Sequence, residues 1–181
     1  IKILKTRKNT INFIQDKITQ QPTALAAEFT LNLVSGLLDT YTDEYDTLIF
    51  EFLRIVNDKL LEMKFDNDDH PLLLWLNLAS IYWDCNKFDD AITTLQKAKE
   101  ASKQKCSNDG KFAILNQLGM WYQELDEYET ALNIHEESKR FAEHELNIEA
   151  QYNNEGECRR KLGDFEGAMS TLKRAELLAK K

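Results

Sequence analysis

Apolar residues recur at steps of three and four along most of the chain, and most regularly between positions 71 and 180. Within 75–98 one series runs Trp75, Leu78, Ala79, Tyr82. A polar break covers 84–87, and a second series runs Phe88, Ala91, Leu95, Ala98. Steps of this size place side chains on one face of an α-helix. The stretch therefore predicts two amphipathic helices joined by a short turn, with small residues where the helices must touch. One hairpin cannot cover its own apolar face, so copies should stack on it.

The same reading predicts helices over 1–20, 23–39, 45–63, 71–84, 88–105, 111–125, 127–144, 147–162 and 164–180. Pro22 and Pro71 fall near the first turn of a helix, where a missing N–H does no harm. An acidic loop is expected at 65–70. A turn is expected at 107–110, where Asn108-Asp109-Gly110 is the strongest turn signal in the chain. No run alternates as a strand would.

Two of these hairpins repeat the one at 71–105. Leu115, Leu118, Gly119, Tyr122, Tyr128 and Ala131 follow Trp75, Leu78, Ala79, Tyr82, Phe88 and Ala91 at an offset of 40. Tyr152, Gly156, Phe165 and Ala168 follow Leu115, Gly119, Tyr128 and Ala131 at an offset of 37. Leu172 and Ala175 follow Leu95 and Ala98 at 77. Bulk recurs where a core needs volume, and small residues recur where backbones cross.

This pattern resembles the tetratricopeptide repeat family, whose W-x2-L-[GA]-x2-Y…[FY]-x2-A-x6-A signature is met by Trp75, Leu78, Ala79, Tyr82, Phe88, Ala91 and Ala98. Glu155 departs from it where a leucine belongs, Arg159 where a tyrosine belongs, and Ser138 where the late alanine of the middle repeat belongs. These departures put the packing of the third repeat in question, not its existence. The 40-residue offset and the run 131–138 resemble the long-repeat subclass of Pins/LGN-type adaptors, and also kinesin light chains. The implied fold is all-α, a right-handed α-solenoid of such hairpins. Three repeats occupy about 71–105, 111–144 and 147–180 within a region 70–181. Residues 1–69 hold N-terminal helices with a degenerate hairpin at about 24–63. There Gly36, Tyr45 and Phe52 fit the scheme, while Asn32, Ser35 and Asp39 do not. A worn repeat and a plain helical hairpin both remain open.

In this family the first helix of each hairpin lines a concave groove, and the residue before the signature leucine points into it. Here that residue is Asn77, Gln117 and Asn154, an amide each time. A carboxamide both donates and accepts, so a ladder of them can hold an extended peptide by its backbone. Three solvated amides are the plain alternative. Helical spacing adds Leu73, Leu76, Ser80 and Trp83 from the first repeat. It adds Asn116, Met120, Gln123 and Glu124 from the second, and Asn153, Glu157, Arg160 and Lys161 from the third. Burial is the alternative for Trp83, and solvation for Arg160 and Lys161. The lysines and arginine of the family's chaperone-tail carboxylate clamp are absent: Leu76, Ser80, Ala113, Gln117, Ala150 and Asn154 stand at those positions. Binding of chaperone tails is not expected.

Charge and composition narrow the partners. The chain of 181 residues carries a net charge of −8, with a sequence pI near 5.0, which argues against nucleic acid as a partner. Residues 1–20 sum to +4 and residues 41–70 to −6, both read as solvated helix surface. No apolar run approaches the ~20 residues that span a bilayer, and no segment resembles a signal peptide. Three cysteines without CxxC spacing point to a reducing compartment, the cytoplasm, with the nucleus left open.

Catalytic and cofactor motifs are missing. His135 and His144 lie nine apart, not at the i,i+4 of a helical metal pair, and His135 is read as part of the packed second helix. In the acidic loop Pro71 stands where a calcium loop needs glycine, and Asn77 where it needs glutamate. No phosphate loop or nucleophile elbow occurs, and Cys85 and Cys158, with no histidine near them in sequence, are read as buried, unreactive thiols. The expectation is a non-enzymatic adaptor or scaffold, without metal or cofactor, that grips a segment of another protein in its groove. The alternative is a structural subunit of a large cytoskeletal, ciliary or proteasome-lid-like assembly.

Overall fold

The computed structural model describes residues 16, 32, 53–58, 60–61, 70–103 and 106–180. The helices expected over 1–20 and 23–39, most of the one over 45–63, the acidic stretch 65–69 and the degenerate hairpin lie outside them. Six α-helices carry the rest. They are α1 (His70–Asp84), α2 (Phe88–Ala101), α3 (Asn108–Glu124), α4 (Tyr128–Ser138), α5 (Glu145–Lys161) and α6 (Phe165–Ala179), with a 3₁₀ turn at Lys139–Phe141 after α4. Among the described residues no strand occurs.

The described residues form two compact units, one of 70–94 with the earlier residues and one from 95 onward. In the first, Leu53, Val56, Leu60, Leu72, Trp75, Leu78, Ala79 and Ala91 are buried. In the second, the core is Leu95, Ala98, Ile114, Leu115, Leu118, Trp121, Ala131, Cys158, Ala168 and Ala175. There α3 packs on α4, α4 on α5, and α5 on α6.

The repeat is written in the backbone as well as in the core. Asn86 (φ 57°), Asp126 (φ 60°) and Gly163 (φ 83°) are left-handed, and they stand 40 and 37 residues apart. Asparagine, aspartate and glycine tolerate this region best. Each closes its helix with the same pair of bonds. Asn86 N–H donates to Trp83 O and Lys87 N–H to Tyr82 O; Asp126 to Gln123 and Glu127 to Tyr122; Gly163 to Arg160 and Asp164 to Arg159. This is the Schellman arrangement, which satisfies carbonyls that a helix end leaves orphaned. The sharp reversal it makes turns each first helix into its second.

Three helix ends differ from the sequence expectation, each for a local reason. Ser107 is an N-cap in extended backbone, and its Oγ accepts from Gly110 N–H at 2.9 Å. The cap pulls Asn108-Asp109-Gly110 into the first turn of α3, so the expected turn there is helix. At the end of α2, Ser102 Oγ donates to Lys99 O at 2.8 Å, and the helix stops at Ala101 rather than at 105. The second helix of the middle hairpin, expected to reach 144, tightens into the 3₁₀ turn after Ser138, and Ala142 is already extended.

Candidate functional site

The candidate residues lie on the first helices of the hairpins, those of α1 in the first unit and those of α3 and α5 in the second. On α1, Asn77 and Ser80 are exposed. Trp83 is half-buried, its ring 4.7 Å from that of Phe88 and tilted by 60°. The indole thus packs against the first residue of α2. On α3, Gln117 is half-exposed and Met120 exposed. On α5, Asn153 is exposed and Asn154 half-exposed. Among the described residues no hydrogen bond engages the side-chain amide of Asn77, Gln117, Asn153 or Asn154, whereas Asn116 is committed. Asn116 Oδ1 accepts from Gln151 Nε2 at 2.7 Å, and its Nδ2 lies 3.6 Å from Met120 Sδ. Asn116 therefore ties α3 to α5.

Charged members of the candidate face are paired locally. Arg160 forks onto Glu157 with bonds of 2.9 and 2.5 Å, and that bond holds the Glu157 carboxyl below its usual range. Lys161 Nζ lies 5.4 Å from the centroid of the Tyr128 ring on α4, a cation–π contact.

Behind this face lies a polar chain that no sequence motif announced. His135 on α4 is fully buried. Its Nδ1 lies 2.8 Å from Gln151 Oε1, and its Nε2 lies 3.1 Å from Gln123 Oε1. Gln123 Nε2 donates to Asn154 O at 3.4 Å. Asn116, Gln151, His135 and Gln123 thus link α3, α4 and α5 to the backbone of the candidate face. Burial lowers the pKa of His135, so the neutral ring is favoured. Room for the ring comes from Gly119: a Cβ there would stand 2.4 Å from His135 Cε1. The only sequence signal for this arrangement was polar residues at core positions, His135 and Gln151.

Residues 71–144 match the family model of the tetratricopeptide repeat. The two hairpins of that stretch are similar to tetratricopeptide repeats. No curated protein matches the chain. Among solved structures the chain is similar to BtubC (BKLC) from P. vanneervenii, at 18% identity and a TM-score of 0.66, with 98% of this chain and 76% of that one covered. It is also similar to MamA, at 16% identity and a TM-score of 0.59, covering 97% and 93%. A third likeness is to aspartyl phosphate phosphatase F from Bacillus subtilis, at 19% identity and a TM-score of 0.60, covering 94% and 45%. These likenesses are of fold, and the fold is an all-α tetratricopeptide-repeat solenoid.

Against the tetratricopeptide pattern, the odd residues of the third hairpin find partners on the second. Glu155, in the leucine position, is 3% exposed and pairs with Lys139 Nζ at 2.5 Å. Arg159, in the tyrosine position, reaches Glu136 at 2.9 Å and Asp164 at 3.0 Å. Ser138, in the alanine position, is buried, with its Oγ 3.5 Å from Phe112 O. Ion pairs Lys139–Glu155 and Glu136–Arg159 thus join these two hairpins. His135 also follows its expected place in the packed second helix.

Among the described residues no three of His, Cys, Asp and Glu gather to hold a metal, and no helix is long and apolar enough to cross a membrane. Burial pushes the Cys158 thiol up to about 11 and the Tyr82 hydroxyl up to about 12. A cavity of about 170 Å³ lies between Lys99, Lys111, Ile114, Glu137 and Phe141. Cofactor pockets usually run to several hundred Å³, and two residues of this lining, Lys99 and Glu137, form an ion pair of 2.5 Å.

Proposed function

We propose that this chain is a protein-interaction scaffold that holds an extended segment of a partner against the first helices of its repeats. The observation that carries this reading is the pair Gln117 and Asn154. They occupy the same repeat position on α3 and α5, both are half-exposed, and both amides are open for bonding among the described residues. An amide at that place can bond a peptide backbone whatever the peptide's side chains. Asn77 extends the set in sequence, with Ser80 and Trp83 beside it on α1. Met120 adds an apolar contact, and Asn153, Glu157, Arg160 and Lys161 a polar one. Asn116 acts indirectly, through its bond to Gln151.

The tetratricopeptide match over 71–144 supports a protein partner. The 40-residue step between the first two hairpins is what supports the long-repeat subclass. Free cysteines fit a reducing compartment. The test is capture by the whole chain from an extract, compared with Gln117→Ala/Asn154→Ala and with Asn77→Ala/Asn154→Ala. Both double variants should melt as the parent does and lose the partner. Retention at parental strength would remove the amide ladder from the account.

A further inference from the structure

The cavity beside Leu115 stands where the next hairpin holds an aromatic ring. Leu115 on α3 lines it together with Lys99 of α2 and Glu137 of α4. The repeat offsets of 40 and 37 carry Lys99 to Lys139, Leu115 to Tyr152 and Glu137 to Arg174. Those three counterparts are neighbours. Lys139 Nζ lies 4.6 Å from the centroid of the Tyr152 ring, and Arg174 Cζ lies 5.9 Å from it. In that seam the repeat position carries a ring flanked by two cations. In the seam of Leu115 the same position carries a leucine, and about 170 Å³ opens beside it. The first hairpin also has a ring at this repeat position, Trp75.

The walls and the rim say what ring would enter. Ile114 and Leu115 are buried and Phe141 is half-buried, so the lining between the charges is apolar. An apolar cavity of about 150 Å³ takes up benzene, so a phenyl ring fits here. It would gain close contact on several sides, as side chains of a packed interior do. The rim is cationic. Lys99, Lys103 and Lys111 line it against one acid, Glu137, in a chain of net charge −8. Lys99 is paired with Glu137. Lys103 pairs with Glu100, but both are exposed, and such pairs contribute little. Lys111 Nζ lies 5.6 Å from the centroid of the Phe141 ring, and nearby Glu143 is held by Asn108 at 2.7 Å. Lys103 and Lys111 thus remain to attract an anion. We infer that the cavity is a socket for one phenylalanine side chain of an acidic partner segment, whose acids face Lys103 and Lys111. The ring supplies the bulk that Leu115 lacks, and the acids supply steering. The socket uses neither Gln117 nor Asn154, so it stands or falls apart from the amide face.

The probe is a capped peptide with one phenylalanine between two pairs of glutamates. It is titrated to about 10 mM, a range that covers the weak affinity of a single anchor, into the whole chain labelled at its isoleucine and leucine methyl groups. The Ile114 and Leu115 signals should shift, with a dissociation constant on the order of 1 mM. The same peptide with alanine for phenylalanine should leave them in place. Leu115→Phe fills the cavity from within, so it should melt no lower than the parent and lose the peptide, read on Ile114. Lys103→Glu/Lys111→Glu should melt as the parent does and bind about tenfold more weakly or worse. Unmoved Ile114 and Leu115 signals over the whole range overturn the inference. So does equal binding of the alanine peptide, or parental binding by the charge variant or by a folded Leu115→Phe. Binding of 3-phenylpropionate as tight as that of the peptide would overturn a peptide as the occupant and assign the cavity to small aromatic acids.

Discussion

A Cβ built on Gly119 would lie 2.4 Å from Cε1 and 2.7 Å from Nδ1 of His135. The glycine of α3 and the imidazole of α4 are therefore one packing unit, and the ring is held from its other side by Gln151 and Gln123. The same pairing of a small residue with a bulky one recurs 37 residues on, where a Cβ on Gly156 would meet Leu172 Cγ at 2.6 Å.

The first prediction follows from that contact. Gly119→Ala forces the ring to shift, an overpacking worth about 1–3 kcal/mol, while helix propensity returns about 1 kcal/mol. The net effect is a loss of up to about 2 kcal/mol in urea unfolding. On a His135→Ala background the clash is gone, and the same alanine should stabilise. A loss of equal size on both backgrounds would show that the ring is not what Gly119 accommodates.

His135 also predicts a pH dependence. Burial lowers its pKa in the fold below the ordinary value of 6.5. The unfolded chain then takes up the proton first as pH falls. The stabilising contribution is complete above about 6.5 and shrinks as pH drops from there toward the folded-state pKa. The urea midpoint should fall between pH 7 and pH 5.5 in the parent, and stay flatter in His135→Gln. Equal slopes in the two proteins would assign the dependence elsewhere.

The ion pair of Glu155 and Lys139 makes an asymmetric prediction. Glu155 has a side chain 4% exposed, and removing its partner leaves a buried charge, a loss of roughly 3 kcal/mol. Lys139→Ala should therefore destabilise strongly. Glu155→Leu, which restores the residue type of the repeat signature, should be much milder, and Lys139→Met/Glu155→Leu should approach the parent. Thermal melts of the three variants check the order. Lys139→Ala as mild as Glu155→Leu would contradict it.

Cys158 should resist a thiol reagent in the native protein, since burial has raised its pKa to about 11 and the thiolate is the reactive form. Cys85 and Cys106, both half-buried, should label first. Mass spectrometry of timed samples distinguishes them, and early labelling of Cys158 would show that α5 opens readily.

Much of the repeat was legible because its constraints are local. Steps of three and four gave the helices, and the fixed offsets gave the hairpins. The same offsets reappear in left-handed Asn86, Asp126 and Gly163. Helix ends were less legible because they turn on single side chains. Ser107 captures Gly110 N–H and overrides the Asn-Asp-Gly turn signal. The third repeat could be recognised but not explained, since the partners of Glu155 and Arg159 sit 16 and 23 residues away in sequence. The candidate face was read as a set of helix positions. Which of its amides are committed, as Asn116 is to Gln151, depends on inter-helix geometry that a periodic pattern does not encode.

The claim that partners are held on the first helices is tested most directly by site-specific photocrosslinking. A photoreactive residue in place of Asn153, exposed on α5, should crosslink to the captured partner. One in place of Glu129, exposed on α4, should not, and the Asn153 crosslink should vanish when Gln117→Ala and Asn154→Ala are added. Partner crosslinks from the Glu129 position, or from the Asn153 position undiminished by the two alanines, would contradict the account.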